Sequence, residues 1–274
     1  MTLQGKVVVV TGASMGIGEA LAKIFAEQGA SVVLSARDLA RLEAARVRIG
    51  HAERTVACAC DVSRSDDIRK LLEFTRQRFG RVDVWINNAG YGLLDSVATA
   101  SLAEVRRLFE TNLFGAMECL QAVVPVMKQQ RSGTVINISS VAGTISVPYS
   151  GIYSASKHAL NAIGRAARME LRGTGVNVLT VCPGYIATDF GVNAVKGSEP
   201  KRLGVAARRG ISAERVARAV LRGYLAGKRE IVVPWKDYLI IKLYQLAPRV
   251  LERIMTGMLR PAEQVIAEAQ AARK

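Results

Sequence analysis

The chain has 274 residues, of which half are apolar, and this size suits one α/β domain with a sizeable core. Its formal net charge is +15, but the basic residues are dispersed and no helix-turn-helix or zinc-finger spacing accompanies them, so nucleic-acid binding is not expected. Two histidines, and four cysteines without a C-x-x-C pair, leave little for a metal site. No apolar run reaches the ~18 residues of a membrane span. With no secretory signal evident, we expect a cytoplasmic location.

Short β-branched runs alternate with amphipathic helical patterns along the chain. The predicted strands are 6–11, 31–35, 55–59, 82–87, 133–139, 176–181 and 230–233, and the predicted helices are 17–28, 39–48, 64–79, 101–129, 151–172 and 212–226. This alternation predicts a parallel sheet with helices on both faces. We therefore predict one Rossmann-type doubly wound α/β domain over residues 1–233, with a seven-stranded parallel sheet and ligands at the carboxyl ends of its strands.

Two segments depart from this alternation. Residues 184–211 have no clear period and predict a loop region over the site. After Pro234 a dense apolar segment with lysines predicts a helical C-terminal extension over residues 234–274. We expect the extension to pack on the same domain or on a neighbouring subunit, and peripheral contact of 235–246 with an anionic membrane is the less favoured alternative.

A glycine-rich turn, with glycines at 12, 16 and 18, follows the first predicted strand and opens the first predicted helix. Glycines in this place let the backbone approach a pyrophosphate at the helix N-terminus. A purely structural turn would use the same residues, but the order of strand, glycines and helix favours nucleotide binding.

Tyr153 and Lys157 are four residues apart on a predicted helix, so they share one face. An ammonium group beside a phenol favours the phenolate, and we expect Lys157 to lower the pKa of Tyr153 enough for proton transfer near neutral pH. Surface helices also carry such pairs, so the pair gains meaning only from its neighbours in the sequence.

These motifs together resemble the short-chain dehydrogenase/reductase family. The matching residues are the glycine-rich turn, Asn87-Asn88-Ala89-Gly90, Asp61, Asn112, Ser140, Tyr153, Lys157 and Pro183-Gly184. The resemblance covers about residues 5–233. It implies hydride transfer between a nicotinamide cofactor and a carbonyl compound or secondary alcohol.

The resemblance also implies a role for each matching residue. Tyr153 would be the general acid/base, Lys157 would lower its pKa and bind the nicotinamide ribose, Ser140 would hydrogen-bond the substrate oxygen, and Asn112 would hold a water in a proton relay. Ser139 competes with Ser140, but alternation along a strand points it the other way. Asp61 would meet the adenine, although it could equally cap the next helix. The implied cofactor-binding residues are Gly12, Ser14, Met15, Gly16, Ile17, Gly18, Arg37, Asp61, Val62, Asn88, Ala89, Gly90, Tyr153, Lys157, Pro183, Gly184, Ile186 and Thr188.

The end of the second predicted strand favours NADP(H) over NAD(H). NAD-binding sites place an acidic side chain there to bind the ribose 2′-hydroxyl, but this chain has the neutral Ala36. Arg37 follows and would pair with a 2′-phosphate. Asp38 is interpreted as the N-cap of the next helix. Met15 stands where some NADP-preferring family members carry a basic residue.

The predicted substrate pocket is mostly apolar, with candidate residues Tyr91, Leu93, Leu94, Val141, Val147, Tyr149, Tyr185 and Phe190. This lining indicates a lipophilic small-molecule carbonyl or alcohol, although ordinary loop packing would look the same. One alternative is a 3-oxoacyl thioester reductase served by an acidic carrier protein, for which Arg131 and Arg172 are expected to flank the cleft. Another is a non-catalytic NADP-binding regulator. The family resemblance implies a homodimer or homotetramer.

Overall fold

The computed structural model describes residues 2–187, 190, 193–197 and 210–257. Its strands are β1 (Val7–Thr11), β2 (Ser31–Ala36), β3 (Thr55–Ala59), β4 (Val84–Asn87), β5 (Leu93–Leu94), β6 (Gly133–Ile138), β7 (Val176–Pro183), β8 (Val195–Lys196) and β9 (Glu230–Val233). Within the described residues a seven-stranded sheet has the order β3-β2-β1-β4-β6-β7-β9, with every neighbouring pair parallel. The seven predicted strands are confirmed, whereas the short pair β5 and β8, which forms a separate ladder, was not predicted.

Helices connect the strands. They are α1 (Gly16–Glu27), α2 (Leu39–Ile49), α3 (Ser65–Phe79), α4 (Leu102–Phe109), α5 (Gly115–Gln130), α6 (Gly151–Glu170), α7 (Ala213–Leu225) and α8 (Asp237–Leu246), and residues 248–257 are also helical. The single helix predicted over 101–129 is wrong in one respect, because a π-helical turn, Glu110–Phe114, separates α4 from α5.

Helices cover both faces of the sheet. Val8 and Val10 of β1 pack with Phe25 of α1 on one face, while Val9 packs with Val123 of α5 on the other. All five side chains are fully buried. The predicted doubly wound architecture is therefore confirmed, and the apolar run of β1 is explained by burial from both sides.

The strand order reverses between β1 and β4, which opens a crevice at their carboxyl ends. Thr11, at the end of β1, joins the two strands there. Its hydroxyl accepts hydrogen bonds from the amides of Asn88 (3.0 Å) and Ala89 (3.1 Å) and donates one to the carbonyl of Ile86 (3.1 Å). The loops that follow β1 and β4 are thereby held side by side.

The expected position of two arginines is wrong. Arg131 and Arg172 follow the last turns of α5 and α6, just before β6 and β7 begin. In a parallel sheet these helix ends lie at the amino ends of the strands, opposite the crevice. Consistent with this, the carbonyl of Arg131 lies against Gly175, directly before β7. Neither arginine can flank the cleft.

Candidate active site

The glycine-rich turn lines one end of the cleft. Gly12 (φ 64°) and Gly16 (φ 60°) occupy the left-handed region that favours glycine. Helix α1 begins at Gly16, and its N-cap residue Met15 supplies no side-chain hydrogen bond. The first amides of α1 therefore have no capping side chain, and Gly12, Met15, Gly16 and Ile17 line the cleft beside them. This arrangement suits a phosphate group.

Gly18 and Ser14 support this turn from behind. A Cβ atom at Gly18 would lie 2.6 Å from Nδ2 of Asn88, so only glycine lets α1 pack this closely. The Ser14 carbonyl accepts a hydrogen bond from Arg48 (3.3 Å), which also pairs with Glu19. Neither Gly18 nor Ser14 lines the cleft itself.

The segment after β4 forms the floor of the cleft. Asn88 donates hydrogen bonds from Nδ2 to the carbonyls of Thr11 (2.9 Å) and Gly12 (3.1 Å), which fixes the glycine-rich turn against it. Asn88, Ala89 and Gly90 all line the cleft, as the resemblance implied. Asn87 instead points into the core, where its amide donates to Asn137 (2.9 Å).

The end of β2 presents a free cation. Arg37 is exposed directly after Ala36 and makes no hydrogen bond or ion pair with any described residue. The predicted N-cap role of Asp38 is confirmed, because its Oδ1 accepts a hydrogen bond from the Arg41 amide (3.0 Å). The Asp38 carboxylate is therefore committed to α2.

Asp61 and Val62 follow β3. Asp61 does not cap α3, so that alternative is wrong: its Oδ1 accepts from the amide (3.0 Å) and hydroxyl (2.7 Å) of Ser63, and the N-cap of α3 is Arg64. Val62 is 6% exposed and belongs to the core beside α3 and α5.

Ser140, Tyr153 and Lys157 converge in the cleft. The Ser140 hydroxyl accepts from the Ala142 amide (3.1 Å), donates to the Pro183 carbonyl (3.5 Å) and hydrogen-bonds Tyr153. Ser139 is buried, and its hydroxyl donates to the Lys157 carbonyl (3.3 Å), which fits the expected structural role.

The expected pKa relation between Tyr153 and Lys157 does not hold in this structure. Burial raises the pKa of Tyr153 to about 12, which the hydrogen bond with Ser140 only partly offsets. Burial also lowers the pKa of Lys157 to about 8. The Lys157 Nζ donates to the Ile138 carbonyl (3.0 Å) and lies 5.9 Å from the centre of the Tyr153 ring. The two groups share a helix face, but loss of water outweighs their mutual interaction.

Asn112 lies behind the cleft, in the π-helical turn, and is 1% exposed. Its Oδ1 accepts from the Tyr91 amide (3.0 Å), and its Nδ2 donates to the Tyr91 carbonyl (2.9 Å). A Cβ atom added to Gly90 would lie 2.9 Å from Asn112 Oδ1 and 3.6 Å from Lys157 Nζ, so all three residues are neighbours. Single π-helical turns of this kind are frequent at functional sites.

The whole cleft, from the glycine-rich turn to the residues named below, is large and mostly apolar, with a volume of about 1480 Å³. Two predicted pocket residues do not line it: Leu93 is buried in the core, and Tyr149 lies outside. The other predicted residues that line this part are Tyr91, Leu94, Val141, Val147, Pro183, Gly184, Tyr185, Ile186 and Phe190. Thr188 lies outside the described residues.

Helix α8 adds two residues to the cleft that the sequence did not predict, Asp237 and Ile240. The Asp237 carboxylate lies directly over Gly184, where it would collide with any added Cβ atom. No hydrogen bond or ion pair joins this carboxylate to another described residue, and burial raises its pKa. In sequence, an aspartate at a helix start resembles an ordinary first-turn charge, so no signal marked it.

Among the described residues, no group of three or more histidine, cysteine or acidic side chains could hold a metal ion. The candidate site thus has two parts. One end is formed by the glycine-rich turn and the uncapped start of α1, and the other end by the cluster of Ser140, Tyr153 and Lys157.

Comparison with known proteins identifies relatives along most of the chain. Residues 6–199 match the family described as short chain dehydrogenase. The ketoacyl reductase HetN of Nostoc sp. is 34% identical over 260 residues, which cover 92% of this chain and 89% of HetN.

Two solved structures have a similar fold. A metagenomic short-chain oxidoreductase in complex with NADP is 35% identical with a TM-score of 0.71, covering 85% of this chain and 98% of that one. A short chain dehydrogenase/reductase from Burkholderia phymatum in complex with NAD is 26% identical with a TM-score of 0.81, covering 92% and 96%.

Proposed function

Because the chain belongs to the short-chain dehydrogenase/reductase family, we propose that it is an NADP(H)-dependent oxidoreductase acting on a lipophilic carbonyl compound or secondary alcohol. The observation that carries this proposal is the convergence of Ser140, Tyr153 and Lys157 in one cleft with the uncapped start of α1. A partly buried phenol, an ammonium and a hydroxyl beside an anion-binding turn form a set suited to reduction or oxidation at a carbonyl carbon.

The residues fit a nicotinamide cofactor. The amides at the start of α1 would hold its pyrophosphate, Asn88, Ala89 and Gly90 would line its adenosine-ribose side, and Asp61 would meet its adenine. Lys157 would bind the nicotinamide ribose, and Pro183, Gly184, Ile186 and Thr188 would hold the carboxamide. When bound, the cofactor supplies the hydride chemistry.

The protein's part is to polarise the substrate oxygen and move one proton. Ser140 and Tyr153 would both hydrogen-bond that oxygen, and Tyr153 would then donate its proton to it. Burial raises the pKa of Tyr153 to about 12, so the phenol carries the proton that reduction requires at neutral pH. Asn112 would hold a relay water that returns the proton through Lys157.

The preference for NADP(H) rests on the charges at the end of β2. Arg37 is exposed and unpaired among the described residues, and the nearby Asp38 carboxylate is engaged by the start of α2. A 2′-phosphate would therefore meet a guanidinium with no free carboxylate beside it.

The decisive experiment replaces the proposed acid. Tyr153→Phe should lower the reduction rate of a panel of lipophilic ketones with NADPH by at least ~10²-fold, because the substrate oxygen loses its proton donor. Loss of NADPH absorbance measures the rate, and NADPH affinity should stay within about twofold. Tyr149→Phe, outside the cleft lining, is the matched control. Near-normal turnover by Tyr153→Phe would refute the assignment.

A second candidate is a 3-oxoacyl thioester reductase, favoured by the similarity to the ketoacyl reductase HetN. The same cleft chemistry would serve it, since the reacting group is again a ketone. Adding acetoacetyl-coenzyme A to the ketone panel separates the two, and a rate well above that of simple ketones would favour the thioester. Assembly as a homodimer or homotetramer and a cytoplasmic location stay predictions.

A further inference from the structure

Exposed apolar side chains are concentrated after β9. Trp235 is 66% exposed, Leu239 59% and Leu246 85%, although each would normally be covered in a globular protein. Five further large apolar residues of the same segment are exposed, namely Tyr238, Ile240, Leu243, Val250 and Ile254. Scattered single residues need no explanation, but a continuous segment of this kind indicates a binding surface.

Helix α8 has two distinct faces. Its inner face anchors it to the domain, because Ile241 is 4% exposed and packs with Val141 and Ile145, with Tyr244 against the same cluster. Leu239, Leu243 and Leu246 have the spacing of one turn and therefore share the outer face. The inner face of α8 therefore packs on the same domain, whereas its outer face stays exposed.

Basic residues border this outer face. Lys236 precedes α8, and Lys242 lies with its Nζ 5.2 Å from the centre of the Tyr238 ring. Arg249 and Arg253 follow, with the exposed Glu252 between them, and the other acidic residue of the segment, Asp237, lines the cleft. Leucines bordered by Trp, Tyr and Lys form the pattern of a helix that lies at an anionic lipid interface.

We propose that this α8 face, formed by Trp235, Leu239, Leu243 and Leu246 with Lys236 and Lys242, docks peripherally on an anionic lipid surface. A second copy of the chain fits less well, because two identical basic borders would face each other and repel. Among the described residues, no helix has the length and hydropathy that spanning a bilayer requires.

The docking surface adjoins the mouth of the cleft. Ile240 is 43% exposed and also lines the cleft, so it belongs to both. A lipophilic substrate dissolved in the bilayer would therefore enter beside the docked helix. This consequence rests on the proposed function, whereas docking does not, and the experiment below measures docking without turnover.

Cosedimentation of the full-length chain with vesicles tests the proposal. We expect binding to vesicles that contain phosphatidylglycerol, at least tenfold weaker binding to pure phosphatidylcholine, and a further loss at high salt. The double variant Leu239→Gln/Leu246→Gln should bind at least tenfold more weakly. Val47→Gln/Met169→Gln, which changes two exposed apolar residues elsewhere on the surface, should bind like the wild type. Lys236→Gln/Lys242→Gln should show a weaker salt dependence than the wild type, whereas Lys70→Gln/Lys128→Gln should match the wild type.

Tryptophan fluorescence identifies the part of the chain that meets the lipid. The chain has two tryptophans, of which Trp85 is fully buried and Trp235 is exposed. Vesicles with brominated acyl chains should quench the wild type but not Trp235→Phe. Three results would overturn the proposal: no vesicle binding by the wild type, binding without quenching, or a leucine variant that binds vesicles normally but has a smaller oligomeric mass by light scattering.

Discussion

At the scale of single residues, Lys157 shows the cost of building the site. Its ammonium is buried, so its pKa falls from 10.5 to about 8, and the folded state is destabilised wherever Lys157 remains charged. The unfolded chain holds this proton up to its ordinary pKa. The stability cost is therefore full below about pH 8 and disappears as the pH rises towards 10.5.

Because the destabilisation by Lys157 decreases as the pH rises, a prediction follows for Lys157→Met. The variant should be more stable than the wild type at pH 7, by up to about 3 kcal/mol, and the difference should shrink as the pH approaches 10. Urea unfolding at several pH values measures it. Lys128→Met, on the exposed surface of α5, should show no such trend. A difference independent of pH would mean that the buried charge is not its cause.

Arg37 carries a prediction about cofactor choice. Arg37→Ala should weaken NADPH binding by about 10–100-fold, since a charge-assisted hydrogen bond to the 2′-phosphate contributes about 1.5–3 kcal/mol. NADH binding should change little, because it lacks that phosphate. Fluorescence titration gives both dissociation constants, with Arg76→Ala at the far end of α3 as control. Tighter wild-type binding of NADH than of NADPH would reject the preference.

At the scale of elements, α8 brings an unpaired carboxylate to the cleft. Burial raises the pKa of Asp237, so the folded state binds more protons than the unfolded chain between the two pKa values. Below the ordinary pKa, Asp237 is uncharged in both states and does not destabilise the fold. Above the raised folded pKa, it is charged in both states and its full destabilising effect is present. Asp237→Asn should therefore have a higher Tm than the wild type at pH 7 and an equal one near pH 3.5. Asp66→Asn, an exposed control, should show no such gain, and thermal unfolding across this range decides.

Elements with a clear period could be predicted from the sequence. Strands β3 and β9 begin and end where predicted, and the glycine-rich turn and Asp38 cap follow local rules. The π-turn could not be predicted, because it depends on Asn112 meeting the backbone of Tyr91, 21 residues earlier. Asp237 was missed for the same reason: its role depends on where α8 packs. The Tyr153–Lys157 spacing predicted their proximity, but not the burial that sets their pKa values.

At the scale of the whole molecule, the carboxyl ends and the amino ends of the parallel strands have different roles. The glycine-rich turn, the uncapped amides of α1 and the buried Lys157 lie at the carboxyl ends of the strands. Asp83 lies at the amino ends of the strands, and its side chain is 3% exposed. Its carboxylate accepts hydrogen bonds from Lys6 Nζ (3.0 Å), the Val7 amide (3.0 Å) and Arg81 Nε (2.8 Å). Asp83 thus joins the start of β1 to the segment before β4, far from the cleft.

This separation predicts that Asp83→Asn destabilises the fold without altering the site. Removing the charge weakens the hydrogen bonds from Lys6 and Arg81, whose side chains are 40% and 43% exposed, and should cost about 2 kcal/mol at pH 7, with NADPH affinity unchanged. Burial opposes ionisation, yet the hydrogen bonds hold the pKa of Asp83 below its ordinary value. Its contribution is therefore present above about pH 4 and is lost as the pH falls through the lower folded value. Urea unfolding should show wild type and variant converging in acid. Asp66→Asn, in an exposed pair with Arg69, should cost under about 1 kcal/mol, and an equal cost for both would contradict the assignment.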